Sequence, residues 1–207
     1  MKKLLILDTK VASACLLIIL LFAGQNFGQN KTGTTIGQFL KIEPSSRIVG
    51  LGNAGASLSG EISSVFYNPA SLGRLQGTDI QFTFNKWLAD ITYNYMAAGI
   101  NVEGIGTFAL VGTLLNSGEM DVRTVENPLG TGEKFTVKNL ALGLGYGLML
   151  TDRVSVGMQI NYINEEIWHS SLSTFGLNFG VQYQVVEGGL TLGASVSNFG
   201  TTAAYDG

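Results

Sequence analysis

From residue 78 onward, large apolar residues recur at every second position. In "NLALGLGYGLML" (139–150), Leu140, Leu142, Leu144, Tyr146, Leu148 and Leu150 share one parity, with Ala141, Gly143, Gly145, Gly147 and Met149 between them. In "VSVGMQINYIN" (154–164), Val154, Val156, Met158, Ile160 and Tyr162 alternate with Ser155, Gly157, Gln159, Asn161 and Ile163. In "TFGLNFGVQYQV" (174–185), Phe175, Leu177, Phe179, Val181, Tyr183 and Val185 alternate with Thr174, Gly176, Asn178, Gly180, Gln182 and Gln184. A period of two is that of β-structure, whose successive side chains point to opposite faces. The pattern predicts strands over about 78–86, 91–101, 105–116, 136–149, 154–166, 173–186 and 190–199.

The second face of these strands decides the class. In a soluble β-sandwich the apolar face forms the core and the polar face meets water, usually through Lys and Glu. Here the polar face is Gly, Ser, Asn and Gln over three successive strands, which suits strands that turn apolar side chains to lipid and small polar ones to a lumen. Composition agrees. Charged residues make up 13% of the 207 positions, against about 25% in an average soluble domain. No apolar run of spanning length follows residue 24, so a bundle of spanning helices is excluded. The other fold that satisfies its own backbone in lipid is a closed barrel. The expected class is therefore all-β, an antiparallel transmembrane β-barrel. The soluble sandwich is the competing reading. A formal net charge of −3 without a basic patch argues against nucleic acid as a partner.

The first residues read as a targeting segment. Lys2 and Lys3 precede the apolar stretch "VASACLLIILLFAG" (11–24), which has signal-peptide length. Cleavage is expected between Ala23 and Gln29, although no Ala-x-Ala pattern fixes the bond. The single cysteine, Cys15, lies inside this segment with the apolar run after it, so it is neither a lipid anchor nor a disulfide partner. The chain divides into a signal peptide (1–28), a glycine-rich segment without strand periodicity (29–77) and the strands (78–207). Export and the barrel pattern together lead to the expectation of a protein in the outer membrane of a Gram-negative bacterium, with outer-membrane lipid as its first partner.

Within 29–77, "SVFYNPASLG" (64–73) carries a local signal. Asn68 suits a helix N-cap, Pro69 suits the first helical position, and Gly73 is placed to close the turn in a left-handed conformation. The joins between strands suggest orientation. Those at 102–104, 151–153 and 187–189 are tight, whereas 117–135 and 167–172 are longer, and barrels of this kind keep short turns on the periplasmic side. The join at 87–90 departs from that rule. Trp87, Tyr93, Tyr162, Trp168 and Tyr183 fall near strand ends, as interfacial aromatics do. Seven strands are one short of the smallest even-numbered barrel, so the expectation is the front part of a longer protein. Self-association of a half barrel is the alternative.

Residues 34–87 also carry a specific resemblance. "IGQFLKIEPSSRIVGLGNAGAS" followed by "SSVFYNPASL" resembles the N-terminal signature of the PorV/PorQ family of outer-membrane proteins, relatives of the FadL-like channels. The matching positions are Phe39, Leu40, Ile42, Arg47, Gly50, Gly52, Ala54, Asn68, Pro69, Ala70, Leu72 and Trp87. "TVKNLALGLGYG", "LTDRVSVGMQINYI" and "GASVSNFG" match later, in order. The resemblance implies a FadL-like barrel of more than seven strands whose lumen is filled by residues 34–77, folded inward as a plug, or hatch, that contains a short helix. Arg47, Gly50, Gly52, Asn68, Pro69 and Ala70 would be the plug motif. Gly50, Gly52 and Gly55 would allow close approach to the wall, and Arg47 would need a carboxylate or carbonyl partner. A solvated periplasmic tail is the bland alternative for this segment. The resemblance further implies a role in type IX protein secretion, with secretion-system components and the signal domains of exported proteins as partners, docking on outer loops such as 119–134. A FadL-like channel for hydrophobic small molecules is the alternative function.

Enzymatic chemistry finds little support in the residues. His169 and Ser170 are neighbours with Glu165 and Glu166 close by, but adjacent strand residues point apart, and a nucleophile needs its base in hydrogen-bond geometry. There is no phosphate-binding loop, no Cys/His pair and no spacing that suggests metal ligands. No catalytic, cofactor-binding or metal-binding residues are expected.

Overall fold

The computed structural model describes residues 36–200; the signal-peptide reading for 1–28 lies outside the described residues. Among the described residues, nine strands follow a mostly 3-10 helical segment. They are β1 (Thr78–Lys86), β2 (Thr92–Val102), β3 (Gly106–Asn116), β4 (Met120–Asp121), β5 (Lys134–Phe135), β6 (Val137–Met149), β7 (Val154–Ile167), β8 (Ser170–Gln184) and β9 (Thr191–Gly200). Seven of them form one antiparallel sheet in the order β1-β2-β3-β6-β7-β8-β9, while β4 and β5 pair only with each other. Each long strand lies beside the next long strand in the chain, a meander closed by hairpins. The edge strands β1 and β9 do not pair with each other, so the sheet is open. The fold is all-β and antiparallel, with the predicted strands in the predicted order.

The turn between β7 and β8 differs from expectation. Pairing continues to Ile167↔Ser170, so only Trp168 and His169 form the turn, in place of a loop over 167–172. Trp168 supplies the positive φ, 56°, that tight two-residue hairpins require. The alternation of short and long joins is therefore weaker than the sequence suggested. Among the described residues, 117–136 is the one long connection at that end of the sheet, and it carries the β4–β5 hairpin.

The sheet is amphipathic in the reverse of the soluble sense. Large apolar side chains cover the exposed face: Leu110, Leu144 and Phe175 are each about three-fifths exposed, and Phe82 about two-thirds. The other face carries Ala109, Ala141, Ser155, Gln159, Asn161, Asn178 and Gln182, all buried. Residues 36–77 cover it. They comprise a 3-10 turn (Gln38–Lys41), the short helix α1 (Ser46–Gly50), and two further 3-10 turns, Ile62–Phe66 and Pro69–Arg74.

The core lies between these turns and one side of the sheet. Ile62, Val65, Leu72 and Leu75 pack with Tyr93, Tyr95, Ala97, Ala109 and Val111. Strands β2 and β3 thus present an apolar seam to the segment, whereas β7 and β8 present amides. Ile62 begins its 3-10 turn with its N–H donated to the Asp79 carboxylate of β1 at 2.8 Å, a charge-assisted cap supplied by the first strand.

Candidate functional site

The feature that organises the concave face is the seat of the Asn68–Pro69–Ala70 turn. Pro69 occupies the first position of the 3-10 helix, where its missing N–H costs nothing. Asn68 is the N-cap, and its Oδ1 accepts from Ala70 N at 3.0 Å. The turn runs to Arg74 as a 3-10 helix, and Gly73 does not adopt a left-handed conformation. Gly73 serves packing instead: a Cβ there would lie 2.6 Å from the Leu148 carbonyl oxygen.

Asn68 is fully buried, so its amide must find partners within the protein. Its Nδ2 lies 2.7 Å from Ala56 O, 3.2 Å from Val181 O and 3.3 Å from Ala194 O. One side chain thereby links the turn to an earlier part of its own segment and to strands β8 and β9. Gln182, also fully buried, donates Nε2 to Ala56 O and Leu58 O at 3.0 and 2.9 Å. Ser195 Oγ donates to Tyr67 O at 2.8 Å. At the far end of the turn, Arg74 donates to Gln184 Oε1 at 2.9 Å and to Arg153 O at 2.8 Å.

The wall has been cleared of side chains to receive this turn. Register sets Gly147 of β6 opposite Gly157 of β7, and Gly157 opposite Gly180 of β8, so three glycines form a row across three adjacent strands. A Cβ at Gly157 would run into the Pro69 carbonyl, one at Gly180 into Asn68 Oδ1, and one at Gly147 would come within 2.6 Å of Leu72 Cβ. Gly145, one of the small inner-parity residues of β6, lies under Leu72, with a Cβ 3.0 Å from Leu72 Cδ1. Sequence reasoning took these glycines for generic small residues. Their alignment depends on the register of each hairpin, and the only signal in the sequence is that all sit at inner-parity positions.

The other predicted plug residues have different roles. Arg47 has a carboxylate partner, Glu61, at 2.5 Å, but the pair lies in the open, with the Arg47 side chain 64% exposed. Gly50 and Gly52 do not approach the wall, since a Cβ at either would meet open space. Gly52 instead supplies a positive φ of 67° just after α1. Gly55 does make a close approach, to the Tyr67 ring within the same segment and not to the strands.

Among the predicted interfacial aromatics, Trp87, Tyr162, Trp168 and Tyr183 are partly exposed, but Tyr93 is fully buried. It has inner parity on β2, and its hydroxyl donates to Ile42 O at 2.8 Å, so it anchors the segment and cannot belong to an outer girdle. Burial and the charge of Glu43 push the Tyr67 phenol up to about 12, so it stays neutral below that pH.

His169 stacks on Trp168 with ring centres 4.6 Å apart and faces Glu133 at 3.7 Å. Glu133 also accepts from Trp168 Nε1 at 3.1 Å, and Lys134 bonds Glu119 at 2.8 Å. The Glu133 contacts tie the β4–β5 hairpin to the β7–β8 turn. Glu165 has inner parity and accepts from Gly37 N at 2.6 Å, so it serves the docked segment and not His169. Among the described residues no cluster of His, Cys, Asp and Glu could hold a metal ion.

The fold and the seat define a class of arrangement: an open antiparallel sheet, apolar outside, with an N-terminal segment docked on its small-residue face. No family model matches the chain, and no curated protein matches it.

The seat gives a direct test on one strand face. Gly180→Ala should dislodge the turn and speed protease cleavage between residues 60 and 77. Gly176→Ala should not, because a Cβ there makes an ordinary 3.5 Å contact with Ile163. Asn68→Ala should act as Gly180→Ala does, at a local cost of about 0.5–2 kcal/mol. Equal cleavage rates for the wild type and all three variants would mean that the turn is not held by this row.

Proposed function

We propose that this chain is an outer-membrane β-barrel protein of the PorV/PorQ type whose N-terminal segment plugs the lumen, and that it serves protein export to the cell surface. One observation carries the membrane reading: the face rich in Leu, Phe, Ile and Val is the exposed one, and the Gly, Ser, Asn and Gln face is the covered one. In water that arrangement would leave a contiguous apolar surface far beyond what monomeric proteins tolerate. In lipid it is the favourable arrangement. Two shallow apolar grooves of about 560 Å³ each lie on the outward face, both lined by Leu110, Leu144 and Ile160, and acyl chains would fill them. Barrel closure needs further strands between the free edges of β9 and β1, because lipid leaves no unpaired strand edge satisfied.

The export role rests on the family resemblance. Against the alternative, a channel for hydrophobic molecules, stands the character of the space beside the plug. Gln159, Asn161, Asn178 and Asn198 form one wall of it beside the apolar Leu40, Phe66, Val111 and Ala141, so a wholly apolar solute would cover amides it cannot pair.

The membrane reading is tested at Leu144, 61% exposed on β6. If it meets lipid near the midplane, Leu144→Arg should cost about 2–4 kcal/mol of folding free energy in bilayers. If it meets water, the change should stay within about 0.5 kcal/mol, and the barrel would be rejected. The role is tested by deleting the gene in the parent bacterium. Exported proteins bearing C-terminal signal domains should accumulate in the periplasm. Normal surface delivery with lost uptake of long-chain fatty acids would favour the channel.

A further inference from the structure

Above the Phe66–Tyr67 floor of the docked segment lies a cavity of about 440 Å³, within the size range of small-molecule sites. Its wall carries a directional chain of amides. Asn198 N donates to Asn178 Oδ1 at 2.7 Å, Asn178 Nδ2 to Gln159 Oε1 at 3.4 Å, and Gln159 Nε2 to Asn161 Oδ1 at 2.7 Å. Gln159, Asn161 and Asn178 are all more than nine-tenths buried. Gly143 makes room for them, since a Cβ there would strike both Asn161 Oδ1 and Gln159 Nε2.

The chain begins at an irregularity. The β8–β9 register shifts between Leu177 and Phe179, and Asn198 takes a left-handed φ of 56°. The Asn178 side chain thus accepts the backbone N–H that the ladder leaves over. Bulges of this kind are enriched beside functional sites, where they re-aim side chains.

At the other end the chain is unfinished. Among the described residues Asn161 Nδ2 has no hydrogen-bond partner, and it is not among the polar atoms sealed away from the cavity. Every amide in the series is oriented the same way, so polarisation strengthens this last donor. An apolar occupant would pack on Leu40, Val111 and Ala141 but would strip water from this donor without replacing its bond. A hydroxyl would accept from it and still donate elsewhere, as Thr113 and Ser197 on the same lining allow. The rim holds one cation and one anion, Lys41 and Glu43, which cancel. The floor offers two aromatic rings set edge to face, 5.0 Å apart.

We infer that this cavity binds a neutral polyhydroxylated ligand of mono- to disaccharide size, with Asn161 as the principal donor and Phe66–Tyr67 as the platform. The inference needs the concave face to be shielded by the docked segment but does not depend on the export role. The test is calorimetric titration of the full chain, in micelles of a detergent without a sugar headgroup, with maltose, cellobiose and lactose. Saturable binding of at least one is expected. Asn161→Asp, which removes the donor without changing volume, should weaken it at least about tenfold, a factor the loss of one such bond would produce. Asn161→Leu should do the same, and Leu144→Met on the outward face should leave it unchanged. A heat-modifiable gel shift identical to wild type would establish that each variant is folded. No saturable heat with any of the three sugars at millimolar concentration would overturn the inference. So would equal affinity in the Asn161 variants, or decanoate binding that displaces the sugar and ignores Asn161.

Discussion

Everything on the concave side depends on how closely the Asn68–Pro69–Ala70 backbone can approach strands β7 and β8. A single methyl group on Gly157 or Gly180 would occupy space that the Pro69 carbonyl and the Asn68 side chain already fill. That intimacy leaves no room for water around Asn68. The segment can be seated only if the buried amide is satisfied by protein carbonyls, which Ala56, Val181 and Ala194 provide. Proline at the first position of the turn matters for the same reason, since it removes an N–H that would otherwise be stranded against the wall.

The seat also explains why the sheet has two chemically different inner halves. Under β2 and β3, Ile62, Val65, Leu72 and Leu75 bury apolar surface against Tyr95, Ala97 and Ala109, and this side contributes most of the hydrophobic stabilisation. Under β7–β9 the segment is held by hydrogen bonds from Asn68, Gln182, Ser195 and Arg74. Such bonds add less net stability but impose one position and one register. An apolar interface on both sides would hold the segment equally well in several places. The amide chain of Gln159, Asn161 and Asn178 continues the polar half beyond the segment, into the cavity where the proposed ligand would sit.

On the exposed face the requirement is reversed. The large apolar side chains of β1–β3 and β6–β9 have no layer of described residues packed over them, and the sheet has two free edges. Both features are liabilities in water, and both are removed by the proposed barrel in lipid. The polar ends fit the same picture. Glu133, Lys134, Glu119 and His169 gather where the β4–β5 hairpin leans on the β7–β8 turn, and the attraction of Lys134 holds Glu119 below the usual carboxylate range.

The chain's own residue order determined a good deal. Strict alternation located all seven long strands, because inner and outer positions differ so sharply in size that no other period fits. The Asn-Pro-Ala turn was legible for a similarly local reason: its cap and its proline act within three residues. What the sequence could not decide were matters of register and distance. Tyr93 looks like an interfacial aromatic until its parity on β2 turns it inward onto Ile42. Gly50 and Gly52 look like contact glycines until the segment's path leaves them in open space, while Gly147, Gly157 and Gly180 gain their meaning only when three hairpins bring them into one row. The turn at Trp168–His169 looked longer because Ser170, Ser171 and Ser173 carry no strand signal of their own; cross-strand pairing to β7 holds them extended. Parity and capping are set by neighbours along the chain. The seat, the amide chain and the cavity exist only where residues a hundred positions apart are brought within a few ångströms by the sheet.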